Sequence, residues 1–262
     1  VNGVPKELKK NIYIFDFNDF DKIRYLVETK KVKIIKMEVQ RNIEPKNNFL
    51  AKVRKLSNKH NVVLIFDECT SGFRETFGGM YQKYDVDPDM VIYGKTLGNG
   101  YAITAVLGKE DIMQAASNTF ISSTFFTERI GPTAALKTLE VMKREKSWEC
   151  ITRIGRLIQG EWKSMGLEFS LDINIYGYPA ISGFSFGKND NVIKTFITQE
   201  MLKQGILSAN TVYACMPHAD ELDKYFSALR LVFKKIGSLH SLDDVNLLLE
   251  GPECISTFGR LN

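Results

Sequence analysis

No CxxC pair occurs in this 262-residue sequence, and its four cysteines, Cys69, Cys150, Cys215 and Cys254, are widely scattered. The three histidines, His60, His218 and His240, stand in ligand spacing to none of them. Neither a metal site nor a disulfide framework is therefore expected. No apolar run approaches the ~20 residues that cross a bilayer, and the opening VNGVPKELKK lacks the pattern of a signal peptide. A cytoplasmic protein without a membrane partner is the expectation. A basic stripe is missing too. The 35 Lys and Arg and 31 Asp and Glu are dispersed, giving a net charge of +4, so no nucleic-acid footprint stands out. The lysine clusters in KELKK and ETKKVKIIK read as solvated faces. There is no internal repeat and no low-complexity linker.

What is present is ample apolar content, 44% of the residues, with 25% charged. That suffices for one large core or two smaller ones. Residues 1–150 alternate short β-branched runs with amphipathic stretches, the pattern of βαβ units on a mostly parallel sheet. Strands are expected at NIYIFDF, KIIKMEV, NVVLIFDE, MVIYGK and ITAVLG. Between the second and third, Phe49, Leu50, Val53 and Leu56 recur at helical spacing, with Asn61 placed to end the helix. From Gly131 the segment GPTAALKTLEVMKREKSWECITRIGRLIQGEWKSMG reads as one long helical region leading away from the sheet. Residues 151–262 then read as a smaller α+β unit, with a strand at GFSFG and helices at NVIKTFITQEMLKQG and HADELDKYFSALRLVFKKIGSL.

The stretch VVLIFDECTSGFR ends a core-bound strand on Asp67 and Glu68, where a buried carboxylate is costly without a partner. Lys95 follows the apolar run MVIYG in the same way. In an open parallel sheet, ligands gather outside the carboxyl ends of the strands. A lysine there can serve as an amine nucleophile toward a carbonyl. Taken alone, LIFDE also fits the acidic strand of an ATPase. A phosphate-binding loop ending in Gly94-Lys95-Thr96 would need glycine where Asp89 stands, and the GKT follows the acidic strand instead of preceding it. Each residue also has a plain structural reading. Asp67 could cap a turn, Lys95 could be a surface lysine, and Ser123 and Thr124 could be loop hydroxyls or cap the helix near Pro132. Phe120, Phe125 and Phe126 read as interface or core, and His218 as a residue that opens a helix.

The ordered motifs LIFDECTSGFR, YGKTLGNGYAITAV and STFFTERIGPTAALKTLEV resemble the class III aminotransferases, and within them the branch of glutamate-1-semialdehyde 2,1-aminomutase. The resemblance covers nearly the whole chain and implies pyridoxal 5′-phosphate as cofactor and transamination as the reaction. It implies a fold-type-I α/β enzyme. Residues 1–150 would be the later part of the mainly parallel large domain, with the start of the spacer helix, and residues 151–262 the C-terminal α+β small domain. Asp67 matches the aspartate that pairs with the cofactor's ring nitrogen. Lys95 matches the lysine that forms the Schiff base. Cys69 stands where a residue packs under the ring. Ser123 and Thr124 match the segment that reaches the cofactor phosphate of the neighbouring subunit, which implies a homodimer with shared sites.

Departures from the family pattern shape the expected substrates. The family's Glu-Pro pair is Glu38-Val39 here, and Thr70 stands where many members carry glutamine. The late Arg-x-x-Pro-Pro segment that holds a substrate carboxylate is replaced by PHADELDKYFSALRLVF, so Arg230 reads as a helix-surface residue. The expected reaction moves an amino group from a small amino donor to an aldehyde or ketone acceptor, with an intramolecular 2,1-aminomutase as the alternative. The family's N-terminal region, with its glycine-rich phosphate loop, has no counterpart in the sequence. A further alternative is accordingly a non-catalytic remnant that serves as a dimerisation partner.

Overall fold

The structure, a computed structural model, describes residues 5–187 and 190–255. The chain forms two compact units, Val1–Glu145 and Lys146–Asn262, and each is described by itself.

In the first unit, helix α1 (Phe20–Glu28) opens on Asp19, whose side chain accepts a hydrogen bond from the Lys22 N–H at 2.9 Å. Such a cap satisfies an otherwise orphaned donor of the first turn. Strand β1 (Ile34–Met37), helix α2 (Phe49–His60) and strand β2 (Val63–Glu68) follow, and then β3 (Met90–Tyr93) and β4 (Ala105–Gly108). The sheet runs in the order β1-β2-β3-β4, with β1, β2 and β3 parallel and β4 antiparallel to β3. Helix α2 buries Phe49, Leu50, Val53 and Leu56, and Asn61 ends it in the left-handed region at φ 50°, a conformation asparagine tolerates. A short helix α3 (Glu110–Met113) follows β4, and α4 (Ile130–Glu145) closes the unit. Phe73, Val91, Tyr93 and Leu97 pack with Ala135 and Met142 of α4 in one apolar cluster.

Buried Asp89 fastens this sheet at the opposite end from the site described below. It accepts from the Leu64 N–H at 2.8 Å and pairs with Arg54 at 2.9 Å and Lys109 at 2.7 Å. Partial burial alone would raise its pKa. The Leu64 amide and the two cations outweigh that effect and hold it below the ordinary aspartate value.

Two expectations from sequence are corrected. NIYIFDF forms no strand, because residues 12–16 lie outside regular structure and Ile12, Tyr13 and Ile14 are exposed. An apolar run becomes a strand only where a neighbour accepts its backbone hydrogen bonds, and among the described residues none pairs with this one. The long helical region is two helices, α4 and α5 (Ser147–Glu168), parted at Lys146 with φ 47° and ψ 47°. Apolar spacing persists on both sides of the break, so periodicity does not register a single left-handed residue.

The second unit continues from α5 through strands β5 (Asn174–Tyr178) and β6 (Ile181–Ser185), helix α6 (Asp190–Lys203), β7 (Thr211–Tyr213) and helix α7 (Leu222–Gly237). Its sheet is antiparallel, in the order β5-β6-β7. Trp162, Phe184, Phe186 and Phe233 meet with ring centroids 4.8 to 5.9 Å apart, within the range of favourable aromatic pairs. The Trp162 indole N–H donates to the Tyr225 hydroxyl at 2.9 Å. Arg230 stands on the surface of α7, as expected, with its side chain 39% accessible, and it bonds both Glu161 and Glu168 of α5. Buried Glu200 is held by Lys203 and Lys235. Burial would raise its pKa, yet these lysines push it down to about 2.

One glycine of α5 is required by close approach. A Cβ on Gly155 would fall 1.8 Å from the Pro179 carbonyl oxygen, whereas one on Gly160 would meet nothing within 4 Å. Gly155→Ala should therefore cost about 2–3 kcal/mol through forced displacement of backbone. Gly160→Ala should stabilise by about 0.5–1 kcal/mol through helix propensity. Urea denaturation followed by circular dichroism measures both, and a Gly155→Ala midpoint at or above the wild-type value contradicts the packing described.

Candidate active site

Strand β2 sets two acids on opposite faces. Leu64, Phe66 and Glu68 are buried, while Val63, Ile65 and Asp67 alternate with them on the more open face, as the two-residue period of a strand requires. β3 runs parallel to β2 with Asp67 opposite Ile92 and Glu68 opposite Tyr93. Two residues beyond Tyr93 stands Lys95, so an aspartate and a lysine occupy the carboxyl ends of neighbouring parallel strands.

Lys95 opens a 3-10 turn, Lys95–Leu97, in the left-handed region at φ 39°. A long side chain seldom adopts that backbone, and strain of this kind collects at functional positions. The turn is held by the Leu97 N–H donating to the Gly94 carbonyl at 2.9 Å and the Asn99 N–H to the Lys95 carbonyl at 3.1 Å. Lys95 Nζ donates to Thr70 Oγ1 at 2.7 Å. The residue before it, Gly94, lies against Cys69. A Cβ on Gly94 would come within 3.3 Å of Cys69 Sγ and 3.4 Å of Thr104 Cγ2, so the backbone just before the lysine runs close to both side chains.

Asp67 has both oxygens engaged. Oδ1 accepts from the Cys69 N–H at 3.2 Å and Oδ2 pairs with Lys36 Nζ at 2.9 Å. Burial pushes the Asp67 pKa up. The bonds from Lys36 and from the Cys69 N–H outweigh it and hold the carboxyl below its usual range. The Cys69 thiol is raised, first by burial and then by the Asp67 charge, with Lys36 and Lys95 pulling weakly the other way. A thiol held up in this way stays protonated and makes a contact surface, not a nucleophile.

Glu68 receives a structural explanation. Fully buried, it accepts from the Ser71 hydroxyl and, at 3.0 Å, from the Tyr81 N–H, which ties the end of β2 to the 80–84 turn. Glu38 faces Arg41 at 3.4 Å. Ser123 and Thr124 are exposed. Ser123 accepts from the Phe125 N–H at 3.2 Å and caps the 3-10 turn Thr124–Thr127, not the α-helix that follows. The structure thus bonds Asp67 to the Cys69 amide and sets Lys95 at the end of the neighbouring strand, and among the described residues no hydrogen bond or ion pair joins Ser123 or Thr124 to them. Two participants were not singled out from sequence. Lys36 lay in a strand read only for its apolar residues, although its period places it on the open face. Thr70 was noted only as a departure from a family pattern.

An amine, a carboxylate and a protonated thiol at the ends of two neighbouring strands would suit an aldehyde-bearing, ring-nitrogen ligand. The family model described as aminotransferase class-III matches residues 42–226. The chain belongs to the class III aminotransferases, a pyridoxal phosphate-dependent family. It is similar to the 3-aminobutyryl-CoA aminotransferase of Cloacimonas acidaminovorans, 32% identical over 237 residues that cover 84% of this chain and 56% of the relative. It is also similar to the glutamate-1-semialdehyde 2,1-aminomutase of Polynucleobacter necessarius, 27% identical over 260 residues, 89% of this chain and 60% of the relative.

Among solved structures, the FumI protein of Sphingopyxis sp. MTA144, in its pyridoxal phosphate internal aldimine form, superposes with a TM-score of 0.84 at 18% identity. The match covers 92% of this chain and 60% of that one. An omega-transaminase from Sphaerobacter thermophilus gives 0.80 at 18% identity, covering 89% and 59%. These likenesses show the fold-type-I transaminase fold. The chain spans 56% and 60% of the length of these two curated relatives. Family membership displaces the reading of LIFDE as part of an ATPase. No helix among the described residues is long and apolar enough to cross a membrane.

Because burial raises the Glu68 pKa despite its hydrogen bonds, the folded state holds this proton more tightly than the unfolded chain does. The stabilisation is full below the unfolded value and is lost as pH rises through the folded one. Glu68→Gln should therefore gain stability relative to wild type between about pH 4 and about pH 8. Urea denaturation at both pH values reads this, and a difference that stays constant or narrows contradicts the assignment.

Proposed function

We propose that this chain carries the catalytic lysine of a pyridoxal phosphate-dependent transaminase, which moves an amino group from a small amino donor to an aldehyde or ketone acceptor. The observation that carries the reading is the placement of Lys95 and Asp67 at the ends of adjoining parallel strands, with the lysine backbone held left-handed. Pyridoxal phosphate, when bound, supplies a carbonyl that exchanges amines and a ring that takes up the electron pair released at the substrate carbon. Lys95 Nζ would be the amine that holds this carbonyl and the base that carries the substrate proton. Asp67 would present its carboxylate to the ring nitrogen, and Cys69 would pack beneath the ring.

Residues 1–150 serve in this reading as the later part of the cofactor-binding domain and residues 151–262 as the small domain. Ser123 and Thr124 serve the cofactor phosphate of a neighbouring copy, in a homodimer. Support for that interface comes from the exposed aromatic residues that flank them in sequence, Phe120 at 97% and Phe125 at 75% accessible, which a second copy would cover. The four cysteines, all free, are in keeping with the cytoplasm.

A second reading, the 2,1-aminomutase, is favoured by the relatives of that name that cover 89% of the chain. It uses the same lysine and aspartate, with the amino group returned to the molecule that supplied the carbonyl.

Incubation with pyridoxal phosphate, borohydride reduction and peptide mapping should add one pyridoxyl phosphate to the peptide that contains Lys95. Lys95→Ala should abolish it. Equal labelling of the variant, or labelling centred on other lysines, contradicts the assignment.

A further inference from the structure

We propose that Lys36 is a positioning residue for Asp67, sharing that carboxylate with the cofactor's ring nitrogen and so limiting how strongly the nitrogen holds its proton. The inference rests on the reading of Asp67 given under Proposed function. Its basis is the sheet register. Lys36 stands opposite Ile65, two residues before Asp67, so both side chains rise from the same face of neighbouring strands. Their charged ends meet at 2.9 Å, with the Lys36 side chain 55% and the Asp67 side chain 27% accessible.

With Oδ1 also accepting from the Cys69 N–H, both oxygens already have a donor. A carboxylate can accept further bonds, so a ring N–H can join Oδ2 beside Lys36. It then meets a pair whose charges largely cancel, and a like charge one bond further on disfavours the protonated ring. The other charged groups do not reverse this. Glu38, just past the end of β1, is paired with Arg41, and Lys95 donates to Thr70 instead of Asp67. Cys69 remains a thiol.

The test compares wild type, Lys36→Met and Lys36→Arg. Three readouts are used: equilibrium titration with pyridoxal phosphate, the ¹⁵N resonance of ring-labelled cofactor, and ¹³C titration of the Asp67 carboxyl in protein without cofactor. In Lys36→Met the Asp67 titration should move to higher pH. Cofactor should bind about fivefold tighter, a size set by a partly exposed ion pair, and the ring resonance should shift toward the protonated position. Lys36→Arg should restore wild-type behaviour in all three, which loss of packing alone would not explain. Unchanged affinity and ring resonance in Lys36→Met, with cofactor bound at Lys95, overturns the role of Lys36 alone. An unmoved Asp67 titration overturns the ion pair. Failure of wild type and variant alike to take up cofactor overturns the underlying reading and this role with it.

Discussion

Parallel pairing of β2 with β3 is the constraint on which the candidate site depends. It sets Asp67 opposite Ile92 and Glu68 opposite Tyr93, so the next two residues of each strand leave the sheet side by side. A slip of one residue would turn Asp67 into the core and Glu68 out of it, because successive side chains face opposite ways. The register is secured at both ends. Asp89 grips the Leu64 amide, Arg54 and Lys109 at one end, and Glu68 grips Ser71 and the Tyr81 amide at the other. Two buried acids thus do structural work so that a third, Asp67, can present its charge to the open face.

Electrostatics then sort the side chains at these strand ends. Asp67 is kept ionised by Lys36 and a backbone amide, and the Cys69 thiol is kept protonated by burial and by that same aspartate. Lys95 is oriented by Thr70 and by a turn that strains its own backbone. The arrangement offers an amine for a carbonyl and a carboxylate for a cationic ring, the minimum that amine exchange requires of the protein.

Much of this was legible in the sequence because it depends on local pattern. The apolar runs ending at Asp67 and just before Lys95 and the helix closed by Asn61 all follow from short-range rules. What was not legible depends on partners distant in the chain. NIYIFDF has the composition of a strand and lacks a ladder partner. Lys146 breaks a periodic pattern with a single backbone angle. Lys36 looks like one more exposed lysine until the register of β1 on β2 brings it to Asp67, and the purpose of Glu68 depends on a turn that begins at Met80. In the second unit, Arg230 acquires its two glutamates only when α7 packs on α5.

The central claim is that Asp67 and Lys95 belong to one cofactor site. Equilibrium titration of Asp67→Ala and wild type with pyridoxal phosphate, at equal chain concentration, tests it most directly. The account predicts saturable uptake of one equivalent by wild type and an affinity at least about tenfold weaker in the variant, the effect of removing one charge partner from a ring nitrogen. Equal affinity in the two proteins would contradict it.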